Sequence, residues 1–348
     1  MKTPRRILIS PLDWGLGHAS RIIPLINRYI EQGDIVIIAG SGLSLNLLKK
    51  QFPGLKSIEI PSFKMKYSAG KSQVWAVAKA FPKLIYYSIC EHQALKRIVK
   101  EENIDFIISD NRFGLYHKTV PCAYITHQLM IKLPRTWSFL EGFVAFVHRC
   151  IINKFTECWV PDFEKVEHSL AGELSHPAKL PRNVKYIGVL SRFYELGVRN
   201  CCASESRSKT CFDYAERSQQ SPLGNEELGV RSFILAILSG AEPQRTIFEK
   251  ELLASLQNDP HENIILVQGK IEAEQKVTKV GKVTMYNYMS IEELQENILQ
   301  ADEIICRSGY SSIMDLYTLG KLKNATFIPT PGQTEQEFLA EYISNNIK

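Results

Sequence analysis

Short runs of β-branched and apolar residues alternate with longer helical stretches from Arg5 to about Gly188. Segments 6–11, 34–39, 56–60, 104–110, 122–127 and 158–161 read as strands. Their positions are nearly all apolar rather than alternating, which is the pattern of a parallel sheet covered on both faces. A second series follows at 233–238, 264–267, 283–286, 304–306 and 326–328. Each series predicts a Rossmann-like α/β domain. Residues from about Glu195 to Leu228 hold many Ser, Arg and Glu with little apolar periodicity, too little to fold alone. The expected division is therefore 1–190, a polar linker or insert at 191–230, and 231–348. Open parallel sheets bind ligands beyond the carboxyl ends of their strands, so the chemistry is expected in loops that follow strands.

Composition narrows the function. The chain has 348 residues, 45% hydrophobic and 23% charged, enough for two domains with their own cores. A net charge of +5, from 42 basic against 37 acidic residues, is too mild for nucleic acid and compatible with an anionic substrate or a membrane surface. The eight cysteines form no C-x-x-C pair, and the first strand follows the amino terminus directly, so the reducing cytoplasm is the expected location. No segment reaches the roughly 18 apolar residues of a spanning helix. Cys201, Cys202 and Cys211 could suggest a metal site, but no fourth ligand is evident. The expectation is no metal and no cofactor.

The first candidate loop is Asp13-Trp14-Gly15-Leu16-Gly17-His18-Ala19-Ser20-Arg21, after the first strand. A dinucleotide fingerprint would need a third glycine where Ser20 stands, and an acid closing the second strand; both are lacking. His18 could accept a proton from a sugar hydroxyl, or could simply be a capping or turn histidine. Asp110-Asn111-Arg112 and Thr126-His127-Gln128 close two further strands at the same edge. Turns favour such residues in any case.

In the second half, Leu238-Ser239-Gly240 leads into a helix start near Arg245, where amides and the helix dipole suit a phosphate. Arg245 could add its charge or be a solvated helix residue. Residues 301–315 read as strand, glycine turn and helix, with Arg307, Ser308, Gly309, Ser311 and Ser312 at a start that fits a diphosphate. Asp315 could hold a ribose diol, or close a capping box with Ser312. Gln333, Glu335 and Gln336 suit sugar hydroxyls, although a plain solvated helix start would look similar.

These loops, in this order, resemble glycosyltransferase family 28 of the GT-B class, the group that includes the peptidoglycan lipid-intermediate N-acetylglucosaminyltransferase. The most specific part is 306–315, which looks like the donor motif with Asp315 in place of the usual Glu. The pattern around Trp14–Arg21 looks closer to a separate bacterial branch than to the peptidoglycan enzyme. The resemblance implies two Rossmann-like domains facing across a cleft, with the acceptor bound by the first and a nucleoside-diphosphate sugar by the second. It implies catalytic roles for His18 and His127. Gly15, Gly17, Asp110, Asn111 and Arg112 would lie in acceptor loops. Ser239, Gly240, Arg245, Tyr288, Met289, Arg307, Ser308, Gly309, Ser311, Ser312, Asp315, Gln333, Glu335 and Gln336 would contact the donor. A UDP-sugar such as UDP-GlcNAc and a glycan or lipid-linked acceptor at the cell envelope are implied. So is a further helix beyond Lys348, which makes the last domain truncated by expectation.

No Asp-x-Asp pair occurs, so helix starts and Arg245 are expected to stabilise the leaving diphosphate in place of a metal. Inverting displacement is the expected course. Aromatic residues between Trp137 and Trp159, with Arg149 and Lys154, read either as an interfacial helix at the inner membrane face or as core packing. The alternatives are a non-hydrolysing nucleotide-sugar epimerase and an inactive nucleotide-sugar-binding subunit.

Overall fold

A computed structural model describes residues 3–63, 74–194, 233–270, 272 and 274–347. The polar segment 195–228 and Cys201, Cys202 and Cys211 lie outside the described residues. The chain divides into two compact units: one runs to Leu190 and includes Pro331–Glu335, the other holds Ser191–Thr330 and the residues from Gln336 on.

The first unit is built on seven strands: β1 (Arg6–Pro11), β2 (Ile35–Gly40), β3 (Lys56–Glu59), β4 (Phe106–Asp110), β5 (Cys122–Ile125), β6 (Glu157–Val160) and β7 (Val184–Tyr186). Their order is β3-β2-β1-β4-β5-β6-β7, and every pairing is parallel. The helices are α1 (Leu16–Glu31), α2 (Gly42–Gln51), α3 (Val74–Glu102) and α4 (Glu141–Ile152). Ile7, Leu8 and Ile9 of β1 and Ile107 and Ile108 of β4 are fully buried, because helices cover both faces of the sheet. Each such side chain contributes about 1.5–3 kcal/mol of transfer free energy. Parallel register sets Pro11 beside Asp110, so the loops after β1 and β4 emerge together. The α1 stripe of Ala19, Ile22, Ile23 and Ile26 packs inward and fixes the azimuth of its first turn.

The second unit has β8 (Ile234–Ile237), β9 (Ile264–Val267), β10 (Val277–Val280), β11 (Val283–Tyr286), β12 (Glu303–Cys306) and β13 (Ala325–Phe327). The order is β10-β11-β9-β8-β12-β13, parallel except for the β10–β11 hairpin. Its helices are α5 (Gln244–Gln257), α6 (Ile291–Gln300), α7 (Tyr310–Thr318) and α8 (Thr334–Asn346). Ile234, Ala236, Leu266 and Met285 from the sheet meet Phe248 and Leu252 of α5 in one core. Ser290 and Glu293 form a reciprocal capping box that starts α6.

Among the described residues, no helix is long and apolar enough to cross a membrane. The aromatic segment after Trp137 splits in two. Phe155 is buried in the core, whereas Phe139, Phe143 and Phe146 are exposed.

Candidate active site

The glycine loop does less turning than its sequence suggests. Gly15 alone takes the non-helical conformation, with φ 152°, and α1 begins at Leu16. Gly17 and His18 are therefore helical, in the first turn. The cap is Gly15, with no side-chain hydrogen bond, so His18 is neither a capping nor a turn histidine.

That placement brings His18 to the end of β4. His18 Nδ1 lies 3.0 Å from Asp110 Oδ2 and 2.9 Å from Arg21 Nη2. Arg21 Nε donates to Asp110 Oδ2 at 3.1 Å, and its Nη2 donates to the other carboxylate oxygen. Asp110 is completely buried. Burial alone would raise its carboxyl, but the charges of Arg21 and His18 hold it below the usual range. No described residue hydrogen-bonds His18 Nε2, and the ring remains 20% exposed. With the proton on Nδ1 directed at Asp110, Nε2 offers a lone pair outward; the site can then take a proton from a hydroxyl.

His127 follows β5 and joins the same cluster, with Nε2 2.7 Å from Glu335 Oε1 and Nδ1 3.5 Å from Arg21 Nη1. Burial lowers the His127 imidazole below its ordinary value, the Glu335 hydrogen bond working against it. Burial, the largest single influence, would raise Glu335, yet the His127 hydrogen bond and the neighbouring positive charges together hold the carboxyl low. A neutral imidazole donating from Nε2 to an ionised Glu335 satisfies both directions. Glu335 is therefore not grouped with the donor motif, as expected from sequence, but with His127. Thr334 anchors the same segment through Oγ1 to the Lys132 carbonyl at 2.7 Å.

Two further residues of the first unit leave the site. Arg112 turns inward from Asn111, which has φ 59°, and donates to Glu91 Oε1 at 2.9 Å and to the Pro61 carbonyl at 2.7 Å. It is 1% exposed and ties α3 to the loop after β3, so it is not an acceptor-loop residue facing substrate. Asn111 accepts from the Tyr124 hydroxyl at 2.8 Å. Asp13 accepts from the Ser44 amide at 3.1 Å and starts α2. Gly42, φ 56°, sits against it where a Cβ would overlap that carboxylate.

In the second unit, Gly309 takes the N-cap position of α7 without any side-chain cap. Arg307 supports this turn from beneath: it stacks on Phe248 at 3.8 Å and donates to the carbonyls of Ile328 and Pro329 at 3.2 and 2.7 Å. Ser308 Oγ donates to the Gln336 carbonyl at 2.7 Å, and Gln336 Oε1 accepts from the Thr330 amide at 2.9 Å. These bonds bind the loops after β12 and β13 together. Gly240, with φ 106°, follows Ser239 in the loop after β8, and Tyr288 and Met289 occupy the loop between β11 and α6. Gln333 lies in the Pro331–Glu335 segment just before α8. Ser311 and Ser312 are in the first turn of α7.

Three expectations change here. The Ser312–Asp315 capping box does not form, because α7 begins at Tyr310 and Asp315 falls in its second turn. Asp315 accepts instead from Ser191 Oγ at 2.7 Å and Arg192 Nε at 3.0 Å. Burial raises its carboxyl despite the nearby Arg192 charge, the opposite of Asp110. Arg245 is not poised for a phosphate: its guanidinium is engaged by Glu242 and by Glu249, the latter at 2.8 Å. The start of α5 is already held by an anion of the chain, since Glu242 Oε2 accepts from the Thr246 amide at 3.2 Å.

Sequence reasoning missed Arg21, Ser191 and Arg192. Only Arg21 carried a signal, lying three residues after His18 on a helix. Among the described residues, no group of three His, Cys, Asp or Glu side chains could hold a metal ion.

No curated protein matches the chain. Solved structures do. The glycotransferase of kitacinnamycin is 12% identical over 99% of this chain and 85% of that one, with a TM-score of 0.58. A UDP-glucosyltransferase from Polygonum tinctorium is 12% identical over 99% and 84%, with a TM-score of 0.57. The calicheamicin glycosyltransferase CalG4 is 10% identical over 99% and 84%, also with 0.57. At such identities the likeness concerns the fold. That fold is the α/β GT-B architecture of glycosyltransferases, and residues 235–347 match the family model described as the glycosyltransferase family 28 C-terminal domain.

Proposed function

We propose that the protein is a metal-independent, inverting glycosyltransferase. It moves a sugar from a nucleoside-diphosphate sugar, UDP-linked such as UDP-GlcNAc, to a hydroxyl of a glycan or lipid-linked acceptor. The observation that carries this reading is the His18–Asp110 pair at the carboxyl edge of a parallel sheet, with Nε2 left outward. His18 Nε2 accepts the acceptor's hydroxyl proton as the oxygen attacks the anomeric carbon. The bond from that carbon to the diphosphate breaks, and its electron pair leaves with the nucleotide. The first unit serves the acceptor and the second the donor. Gly309 and the start of α7 suit the leaving diphosphate through the helix dipole. Asp315, in the second turn of the same helix, is the carboxylate assigned to the ribose hydroxyls.

The test is a thermal-shift titration with UDP, GDP, TDP, CMP and NADH on the wild type and Asp315→Asn. A ligand at 100 times its Kd stabilises by about 2.7 kcal/mol. A UDP-selective rise in melting temperature that disappears in the variant is expected. The neutral amide should fold normally: the Asp315 carboxyl is raised on folding, so its charged form costs stability at neutral pH. No rise with any nucleotide would remove the donor site, and a rise with NADH alone would remove the transferase reading.

We also infer peripheral contact with the inner face of the membrane. Phe139, Phe143 and Phe146, 77%, 66% and 55% exposed, form one stripe along a 3₁₀ turn and α4, flanked by Arg135 and Arg149. Sedimentation with anionic vesicles is expected for the wild type and not for Phe143→Ser/Phe146→Ser. A wild-type protein that stays in the supernatant would eliminate the contact.

A further inference from the structure

Arg21 is a buried cation, 2% exposed, at the centre of the His18 cluster. Its Nε and Nη2 bind opposite oxygens of Asp110. Nη2 also lies 2.9 Å from His18 Nδ1, and Nη1 lies 3.5 Å from His127 Nδ1. One guanidinium thus faces the same ring atom of two histidines.

A guanidinium only donates and stays charged. An imidazole nitrogen that accepts from it must offer a lone pair, and a second proton on such a ring would set two cations side by side. His127 meets both conditions, with Nε2–H directed at Glu335 and the Nδ1 lone pair at Arg21. At His18 the partner of Nδ1–H is Asp110 Oδ2, and Arg21 Nη2, which lies beside the ring, donates to the other carboxylate oxygen. The guanidinium therefore competes with the ring for the carboxylate that would stabilise its protonated form.

On the reading that His18 is the base, we infer that Arg21 is a positioning residue. It holds His127 neutral and fixes which nitrogen of each ring carries the proton. The groups facing this cluster are His18 on α1, Asp110 closing β4, His127 after β5 and Glu335 in the Pro331–Glu335 segment. Tyr124 on β5 feels the charges of both Asp110 and Arg21. With neutral histidines the cluster holds one positive charge, Arg21, and two negative ones, Asp110 and Glu335. Removing the positive charge leaves two carboxylates without a counter-charge around two imidazoles.

The experiment is an NMR titration of isotope-labelled histidine in the full chain, with signals assigned through His18→Gln and His127→Gln. In Arg21→Met, the His127 midpoint is expected to rise by about one pH unit or more, a tenfold gain in proton affinity, and the proton distribution of His18 is expected to change. In Arg21→Met/Asp110→Asn the His127 midpoint, with the ring still facing Glu335, should stay raised. Arg21→Lys keeps the charge but loses the planar fork, so the His127 midpoint should hold while the distribution of protons between Nδ1 and Nε2 changes. A purely structural role would lower the melting temperature and leave midpoints and proton positions unchanged, which would overturn the inference. If Arg21→Met does not fold, an unchanged proton distribution in Arg21→Lys overturns it alone. The titration needs no sugar substrate, so its result is independent of transfer, which the wild-type nucleotide titration judges separately.

Discussion

Replacing His18 by alanine is expected to lower kcat for sugar transfer by a factor of about 10²–10⁴, the usual contribution of a positioned general base. The UDP-induced thermal shift should persist, because Gly309 and Asp315, proposed to hold the nucleotide, belong to the second unit. His18 has the features the role needs: one ring nitrogen held by a buried carboxylate, the other without a hydrogen-bond partner among the described residues, and a ring still reached by solvent. His127 does not, since Glu335 and Arg21 face its two nitrogens. His127→Ala should therefore cost less than His18→Ala. Steady-state turnover of the two variants and their double decides the assignment, and wild-type turnover in His18→Ala would transfer the search for the base to another group.

Asp110→Ala should give the largest loss of stability, about 3–5 kcal/mol at pH 7, because it leaves the Arg21 guanidinium buried without its counter-charge. The effect depends on pH in a defined direction. The folded Asp110 carboxyl is held below its usual value, so the carboxylate contributes stability that is fully present above the unfolded value of about 3.9. That contribution is lost as pH falls through the folded value, and the gap between wild type and variant should close in acid. All four tryptophans, Trp14, Trp75, Trp137 and Trp159, precede Leu190. Their fluorescence during urea unfolding therefore follows the first unit alone. Equal midpoints for wild type and variant at pH 7 would show that the Arg21–Asp110 pair contributes no net stability.

Much of the fold was legible because its central strands are buried on both faces and so appear as continuous apolar runs. The strands at 264–267 and 283–286 begin and end where the pattern places them. β7 and β10 escaped notice for the converse reason. Val184-Lys185-Tyr186 lies at a sheet edge, and the four residues of β10 are all exposed, so neither leaves an apolar run. At the site, the loops were legible but the partners were not. Adjacency in sequence singled out Arg112 beside Asp110 and passed over Arg21; the positive φ of Asn111 sends the first inward, and the turn of α1 brings the second to the carboxylate. The supposed cap at Ser312 failed because the helix starts at Tyr310, a shift of register that turns a capping acid into the partner of Ser191 and Arg192.

The β10–β11 hairpin bears on solubility. A parallel sheet ending at β11 would present the backbone groups of Val283-Thr284-Met285-Tyr286 as a template for a strand from another molecule. β10 occupies that template in the antiparallel sense and becomes the new border. It is only four residues long, fully exposed, and carries Lys279 along it. A short, charged border strand is a poor nucleus for intermolecular ribbons, so the least hydrophobic strand of the second sheet is the one that guards the molecule against aggregation.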